Sequence, residues 1–270
     1  MATSSKGLSV PRDMPVAEVA ELVRTQGYVV IKDALTPEQL QGIGDAYDRL
    51  LAENPPGPQA IRVELPRLFE RDQVFEQLMD NPPALAVVRE LLGPMVELGT
   101  AGELDYKFGS TPAYIAWHGD FQFLNWIPGP RHVYWIRCVY MIGDVDEDMG
   151  PFTLVPRTHT RDPQDLRNHI NKDGQPVPIE GQLPIVGKAG SCLINNTEIW
   201  HTNTANVSGR PRRLIMVLYK PAWMKAWDKG YEFSPEFRER QTDPVRRQLV
   251  GALSWTEHDL NNFPVAGWTP

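Results

Sequence analysis

The sequence predicts a mainly β protein with flanking α-helices, in which short strands form a barrel or a sandwich. From about residue 96 onward, eight short apolar or alternating runs follow one another between Gly, Pro and Asp residues, which is typical of consecutive strands. Before residue 96, apolar residues recur at helical spacing instead. The 270 residues, 41% hydrophobic and 23% charged, have a globular composition and fit one large domain or two small ones.

Three helices and one strand are expected in the N-terminal part, residues 13–93. Each helix begins with a capping residue followed closely by proline. Gly27 and Gly93 end the first and the third helix. The strand is the largely β-branched run Tyr28–Ile31. The helices are predicted to begin at residues 13–15, 36–38 and 81–82.

The β core is expected over about residues 96–220, followed by a mixed tail, 221–270, with one helix at 243–251. A long polar loop is predicted at 160–181, where no periodicity is present. The helical part, the core and the tail are expected to form a single domain spanning 1–270. The eight predicted strands are 96–108, 113–117, 132–142, 152–155, 184–187, 191–194, 199–202 and 213–219.

Charge and cysteine content argue against several classes of partner. The net charge is −7 without a basic stripe, which disfavours nucleic acid and anionic membrane surfaces. The only two cysteines, Cys138 and Cys192, form no C-x-x-C motif, which favours a reducing compartment. Residues 1–10 lack the apolar core of a signal peptide, and no apolar run is long enough to span a membrane. We therefore expect a cytoplasmic protein, either a monomer or a homodimer.

The segment Trp117-His118-Gly119-Asp120 is the first that points to chemistry. In an extended strand, residues i and i+2 face the same side, so His118 and Asp120 can bind one ion while Gly119 faces away. One imidazole and one carboxylate suit a divalent first-row metal better than calcium. The alternative is a hydrogen-bonded polar pair without a metal, the commoner role of an isolated H-x-D pair.

His201 is the best third ligand among the remaining histidines. It ends the apolar run Ile199-Trp200, which follows the strand predicted at 191–194. Two histidines and one carboxylate on one triangular face leave the opposite positions of the metal open, as in non-haem iron oxygenases. The other histidines fall before a strand or in polar and loop surroundings: His132, His159, His169 and His258.

A cluster of three arginines, Arg210, Arg212 and Arg213, precedes the last predicted strand. Arg212 shares a face with Leu214 and Arg213 shares the other face with Ile215, so one can point into the interior while the other is solvated. A guanidinium fork suits a buried carboxylate, which is costly to leave without a partner. The alternative is that all three arginines lie in a solvated turn.

The chain resembles the phytanoyl-CoA dioxygenase (PhyH) family of iron(II)/2-oxoglutarate oxygenases from about Val19 to Tyr219. The resemblance implies a double-stranded β-helix core of the jelly-roll or cupin type. It also implies iron(II), 2-oxoglutarate and dioxygen, and oxidation of a substrate C–H bond: hydroxylation first, with cyclisation, epimerisation or desaturation as other outcomes. The segments that carry the resemblance are Gly27-Tyr28-Val29-Val30 leading to Leu35-Thr36-Pro37-Glu38, Trp117-His118-Gly119-Asp120, Gly150-Pro151-Phe152 to His159, and Gly190 to His201 followed by the arginines.

By this resemblance the metal is held by His118, Asp120 and His201. The family's 2-oxoglutarate arginine lies eleven residues after the second histidine, which selects Arg212 here. Asn203 stands where the family often has a small hydroxyl residue, and it is expected to contact 2-oxoglutarate. Related halogenases have a small residue without ligating atoms at the carboxylate position, so the presence of Asp120 disfavours halogenation.

The chain departs from the family pattern at two places. Gly119 replaces the usual Gln, at a position that is expected to face away from the metal. Arg157-Thr158 replaces the usual Gly-Ser, and His159 is expected to be structural. Lys107 and Trp135, on predicted core strands, complete the expected co-substrate site.

Four residues are candidates for contact with the substrate. Arg137 alternates with Trp135 onto one strand face, and it either meets substrate or co-substrate or closes a structural ion pair. Leu124 and Trp126 follow the ligand segment and are expected to border the substrate. Trp223, in the aromatic tail, belongs either to a lid over an apolar substrate or to the core.

The sequence leaves three function hypotheses. The first is the oxygenase, acting on a small molecule; without a basic patch, an apolar or polycyclic natural product is favoured over a CoA thioester. The second is a cupin-like metal enzyme that does not use 2-oxoglutarate and therefore has no need of Arg212. The third is a binding module without catalysis on the same barrel, which an intact ligand set disfavours.

Overall fold

The computed structural model describes residues 7–57, 60–113, 115–120, 135–161, 166, 177–225 and 232–253. Within these ranges the helices are α1 Val16–Gln26, α2 Pro37–Glu53, α3 Leu68–Arg71, α4 Pro82–Leu92, α5 Pro235–Glu239 and α6 Pro244–Leu249. The strands are β1 Ser9–Val10, β2 Tyr28–Ile31, β3 Arg62–Pro66, β4 Val96–Leu98, β5 Glu103–Lys107, β6 Ile136–Met141, β7 Phe152–Leu154, β8 Leu183–Pro184, β9 Cys192–Asn196, β10 His201–Asn203 and β11 Arg212–Pro221. No helix in the described ranges is long and apolar enough to cross a membrane.

Two sheets form the core. The larger sheet has the strand order β1-β2-β9-β6-β11-β5-β3, with β4 also paired to β11, and the smaller sheet has the order β10-β7-β8. β1 and β2 are parallel, and the other pairs of described strands are antiparallel. Residues of both sheets line one cavity, so the sheets face each other. The predicted class is confirmed: the core is a double-stranded β-helix with flanking helices.

The long strand β11 organises the larger sheet. On one side it pairs with β6, and on the other side its first half pairs with β5 and its end with β4. Because side chains alternate along a strand, the two faces of β11 have separate surroundings. The cavity face carries Arg212, Leu214, Met216 and Leu218, and the face toward the helices carries Ile215, Val217 and Tyr219.

The helices cover the outer face of the larger sheet. On β6, Cys138 and Tyr140 belong to the helix-covered core, whereas Arg137 and Val139 line the cavity. Cys192 of β9 lies in the same helix-covered core, and both cysteines are buried free thiols. The sheet therefore separates the two thiols from the cavity.

The helix starts predicted at 36–38 and 81–82 and the strand β2 are confirmed, whereas α1 begins at Val16 with Pro15, not Asp13, in its N-cap position. α2 begins with a capping box: the Thr36 hydroxyl accepts a hydrogen bond from the Gln39 amide at 3.2 Å, and the Gln39 side chain accepts one from the Thr36 amide at 3.0 Å. α1 and α4 end immediately before Gly27 and Gly93, as expected. The tail helix is also present, as α6.

The prediction of one strand over residues 96–108 is wrong. β4 and β5 are separate, because residues 99–102 between them are not in a strand, although the Gly99 amide still donates to the Leu218 carbonyl of β11 at 2.7 Å. Gly99 packs directly against the indole ring of Trp135, which leaves no room for a side chain there. Both strands still pair with β11, so the sheet is continuous although the segment is not.

The strand predicted at 113–117 is also absent from its described residues. Thr111 and His118 form isolated bridges instead, one to Asn206 and one to His201. The remaining predicted strands are present with shifted ends, although 132–134 lie outside the described residues, as does most of the predicted loop at 160–181. Four short elements were not predicted: β1, β3, α3 and α5.

Candidate metal centre

Three side chains that are far apart in sequence meet between the two sheets. The ligand atoms of His118, Asp120 and His201 all lie within 4.8 Å of one another. The two histidine rings are 4.1 Å apart between centroids. Oδ1 of Asp120 lies 3.6 Å from Nε2 of His118 and 3.5 Å from Nε2 of His201. The structure thus places the three predicted ligands around one point.

Backbone hydrogen bonds hold these ligands in register. The amide of His118 donates to the His201 carbonyl at 3.0 Å, and the amide of His201 donates back to the His118 carbonyl at 2.8 Å. The Asp120 amide donates to the Thr197 carbonyl at 3.0 Å. Gly119 lies between them, and a β-carbon there would come within 2.8 Å of the Glu198 carbonyl oxygen. The close approach of the two segments therefore requires glycine at position 119.

Each histidine presents its Nε2 atom to the site. Nδ1 of His118 lies 2.9 Å from the Ala116 carbonyl, and Nδ1 of His201 lies 2.8 Å from the Ile199 carbonyl. A carbonyl oxygen only accepts hydrogen bonds, so each Nδ1 carries a proton and each neutral ring directs the lone pair of its Nε2 into the site. Burial, and then the charges of His118 and Arg137, hold the pKa of His201 well below its ordinary value. Two neutral imidazoles and one carboxylate fit a divalent first-row metal such as iron(II).

Arg137 contacts the ligands directly. Its Nη2 donates a hydrogen bond to Oδ2 of Asp120, and its Nη1 lies 3.0 Å from Nε2 of His201. Oδ1 of Asp120 remains directed at the two imidazoles. Phe152 stacks on His201 at a centroid distance of 4.8 Å, and Arg137 lies over the same phenyl ring. The ion pair is one of the two alternatives expected for Arg137, and its partner is a candidate ligand.

A cavity of about 250 Å³ opens beside the three candidate ligands. His118, Asp120, His201, Arg137 and Arg212 all contribute to its wall. Its apolar wall comes mostly from β11 and from Phe152. Its other polar lining residues are Arg62, Glu64, Thr100, Glu103, Asp105, Thr202 and Asn203.

The two arginines at the start of β11 point in opposite directions, as predicted. Arg212 is 2% exposed and lines the cavity, where it donates to the Gly150 carbonyl at 2.6 Å and forms an ion pair with Asp105. Its Nε has no hydrogen-bond partner among the described residues. Arg213 instead lies over the ring of Tyr47 and donates to the Asp48 carboxylate of α2 at 2.7 Å.

The other expected co-substrate residues have different positions. Asn203 lines the cavity next to the ligand strand. Lys107 is buried and donates to the Thr204 carbonyl, and burial followed by the charge of Arg212 lowers its pKa to about 7. Trp135 is buried against Gly99. Lys107 and Trp135 are not among the residues that line the cavity.

Of the remaining expectations, two fall on described residues. Trp223 is 67% exposed, which excludes the core, one of its two alternatives, and leaves the lid as a prediction. His159 contacts the Arg24 carbonyl at 2.9 Å, packs against Gly27 at the end of α1 and does not line the cavity. Leu124 and Trp126 lie outside the described residues, as do His132, His169 and His258.

Several cavity residues were missed from the sequence. Glu103 and Asp105 alternate with Leu104 and Tyr106 on β5, a pattern that usually marks a strand with one solvated face. The signal was therefore present, but it indicated solvent where the structure has a cavity. Phe152 lies in a motif that was recognised, yet its stacking on a ligand was not foreseen.

Comparisons with known proteins agree with this geometry. A family model described as Phytanoyl-CoA dioxygenase (PhyH) matches residues 23–214. Ectoine dioxygenase of Bordetella bronchiseptica is 21% identical, over 75% of this chain and 74% of that protein. HygX from Streptomyces hygroscopicus, solved with nickel and 2-oxoglutarate bound, has a TM-score of 0.66 at 17% identity, over 78% of this chain and 89% of that chain. SnoN, a non-haem α-ketoglutarate-dependent epimerase from nogalamycin biosynthesis, has a TM-score of 0.62 at 18% identity, over 85% and 92%.

Proposed function

The chain belongs to the phytanoyl-CoA dioxygenase family of iron(II)- and 2-oxoglutarate-dependent dioxygenases, and on that premise we propose that it oxidises an unactivated C–H bond of a small molecule. One observation carries the proposal: the His118, Asp120 and His201 ligand atoms and the Arg212 guanidinium line the same cavity. A divalent metal and a dicarboxylate can therefore bind side by side.

In the proposed site each residue has a defined task. Nε2 of His118, Nε2 of His201 and Oδ1 of Asp120 would hold iron(II), which together with 2-oxoglutarate and dioxygen supplies the oxidising chemistry. Arg137 keeps Oδ2 of Asp120 occupied, so that only Oδ1 is free to bind the metal. Arg212 would bind the far carboxylate of 2-oxoglutarate, and its Nε is free for this role among the described residues.

The walls of the cavity support the same proposal. Phe152 fixes the ring plane of His201 by stacking, and Leu214 and Met216 contribute apolar wall between the Arg137 and Arg212 side chains. Such walls exclude water from the reacting atoms, which protects a reactive oxidant from side reactions. The two sheets thus supply position and shelter, while the bound metal supplies the reactivity.

We propose a natural-product intermediate as substrate and hydroxylation as the main outcome. HygX has also been solved with hygromycin B bound, and SnoN, from nogalamycin biosynthesis, with nogalamycin RO, so two proteins of this fold bind small molecules. SnoN is an epimerase, so epimerisation, cyclisation and desaturation stay open as outcomes for this chain. From the sequence we also propose a cytoplasmic location and a monomeric or homodimeric state.

One observation favours a competing function, a cupin-like metal enzyme that does not use 2-oxoglutarate. Arg212 already has a carboxylate partner, Asp105, at the position where the co-substrate is expected. If that ion pair is only structural, the metal site remains but the dicarboxylate site does not. The two functions differ in whether Arg212 controls 2-oxoglutarate binding.

The first experiment tests the metal site. We expect anaerobic addition of iron(II) and 2-oxoglutarate to produce the weak visible charge-transfer absorption of the chelate in the wild type. His201→Ala should abolish it, because one ligand is lost. His159→Gln is the matched control, since His159 is a buried histidine outside the cavity, and it should keep the absorption. A missing band in the wild type, or a full band in His201→Ala, would refute the proposal.

The second experiment tests the dicarboxylate site. In the metal-loaded protein, Arg212→Met should weaken 2-oxoglutarate binding by about a hundredfold, because a buried charge-assisted hydrogen bond is removed. Arg213→Met, which changes the neighbouring arginine on the opposite face, should leave binding within about twofold of the wild type. Isothermal titration calorimetry measures both. Equal affinities in the two variants would favour the competing function.

A further inference from the structure

A second set of polar groups lines the cavity apart from the candidate metal ligands. Thr100, Glu103 and Asp105 are 4%, 7% and 5% exposed. Each has one buried oxygen without a hydrogen-bond partner among the described residues: Oγ1 of Thr100, Oε1 of Glu103 and Oδ1 of Asp105. Burying a polar atom without a partner is unfavourable, so three such atoms on one wall indicate a donor that arrives with a ligand.

The strand register arranges the charges of this wall in rows. On the face of β3, β5 and β11 that is directed to the cavity, the first row holds the basic residues Arg62, Lys107 and Arg212. The second row holds Glu64 and Asp105, and the third row holds Glu103. Further along β11, Leu218 pairs with Arg137. The two carboxyl rows therefore lie between Arg212, which is assigned to 2-oxoglutarate, and Arg137, which holds the ligand Asp120.

The carboxyl groups in these rows differ in whether they form an ion pair with a cation. Arg62 pairs with Glu64 at 2.5 Å, and Arg212 pairs with Asp105. No cation of the described residues lies within ion-pair distance of Glu103. Burial, and then the hydrogen bond and charge of Glu64, raise the pKa of Glu103 well above its ordinary value. Binding of 2-oxoglutarate to Arg212 would add a further negative charge to this wall, and a cationic ligand would supply the countercharge that Glu103 lacks.

We propose that Thr100, Glu103 and Asp105 form a substrate subsite for a protonated primary amine, so that the enzyme acts on cationic small molecules. The inference rests on the proposed function, because it takes Arg212 as the 2-oxoglutarate site. An ammonium group brings three N–H donors and one positive charge, which match three unpaired oxygens and the missing countercharge of Glu103. An alcohol brings one donor and no charge, and it would leave buried oxygens unpaired.

The test compares ligands that differ only in this group. The probes are propyl-, butyl- and pentylammonium ions and the alcohols of the same lengths, titrated by calorimetry into protein loaded with nickel(II) and 2-oxoglutarate. We expect the tightest ammonium ion to bind about tenfold more tightly than its alcohol, as for a charge-assisted hydrogen bond. Glu103→Gln should remove most of that difference and leave alcohol and 2-oxoglutarate binding unchanged. The exposed Glu180→Gln is the matched control and should behave as the wild type.

Each result decides the matter. Equal binding of ammonium ions and alcohols, or no ammonium binding up to about 50 mM, overturns the subsite, and so does a preference that survives Glu103→Gln. If Glu103→Gln does not fold, Thr100→Val removes another acceptor and should weaken ammonium binding alone. The iron(II)–2-oxoglutarate absorption is measured on the same protein: if it forms without ammonium selectivity, only the subsite fails, and if it does not form, the proposed function fails.

Discussion

Among single side chains, Arg137 sets the charge balance of the metal centre. Its guanidinium pairs with Asp120 and contacts Nε2 of His201, and the side chains of Arg137 and Asp120 are only 10% and 9% exposed. A cation that binds the triad must displace Nη1 from His201, but it leaves the hydrogen bond to Oδ2 of Asp120 in place. Arg137 therefore takes the role of the metal charge before the metal binds.

This role gives a stability prediction for Arg137→Met. Without metal the variant leaves the Asp120 carboxylate buried and unpaired, so its free energy of unfolding should fall by about 3 kcal/mol. Nickel(II) should restore a larger share of stability in the variant than in the wild type, because the ion supplies the missing charge. Urea denaturation with a chelator and with nickel(II) measures both effects. Arg210→Met removes an exposed ion pair to Asp146 and should change neither value. A variant as stable as the wild type without metal would contradict this role.

At the residue scale, the sequence indicates the metal set better than the rest of the cavity. His118 and Asp120 are readable because a spacing of two is a strand pattern. Glu103 and Asp105 are not, because charges that alternate with apolar residues look the same whether the charged face meets water or a cavity. Only the packing of the smaller sheet over β5 and β11 distinguishes the two cases. Leu124 and Trp126 stay untested.

At the element scale, the turn at Gly150 connects the two sheets. Gly150 has φ of 66°, and a β-carbon there would lie 2.7 Å from the Thr204 carbonyl oxygen and 2.8 Å from Nζ of Lys107. Its own carbonyl accepts a hydrogen bond from Arg212. The left-handed backbone and the close approach both require glycine, so this turn helps to orient Arg212.

Replacing Gly150 by alanine, beside a control glycine, separates the effect of its positive φ from the effect of its close contacts. Gly150→Ala should destabilise the protein by about 3 kcal/mol, from the unfavourable φ and from the close contacts together. Gly181→Ala is the matched control, because Gly181 has φ of 78° with nothing within 4 Å of an added β-carbon. That variant should lose only about 1 kcal/mol. Urea denaturation gives the comparison, and equal losses would show that the contacts at Gly150 are unimportant.

The helices longer than five residues were easier to predict from the sequence than the strands, whereas the short helices α3 and α5 were missed. The helix starts follow from local signals, such as the capping box of Thr36 and Gln39, and these signals act within one turn. Strand limits depend on partners elsewhere in the chain. β4 and β5 divide because each pairs with a different part of β11, and β3, Arg62–Pro66, exists only because β5 lies beside it. Such pairings carry no local signal.

At the scale of the whole molecule, metal and 2-oxoglutarate should act as one stabilising unit. Ligands that bind only the folded state stabilise it by about 2.7 kcal/mol at a hundredfold excess over the dissociation constant. Because the proposed dicarboxylate site needs the metal as its second anchor, 2-oxoglutarate should raise the melting temperature by roughly 5 °C with nickel(II) present and by much less with a chelator. Differential scanning fluorimetry measures this dependence. An equal shift without metal would show that 2-oxoglutarate binds elsewhere.

The position of Cys138 and Cys192 has a practical consequence. Both thiols lie beneath the helices, on the side of the larger sheet away from the cavity. An alkylating reagent can reach them only when the helical layer opens, so the rate of labelling records rare openings of the native core. The two thiols thus report how often the helical layer opens. A substitution in the cavity that leaves the labelling rate unchanged has left the scaffold intact.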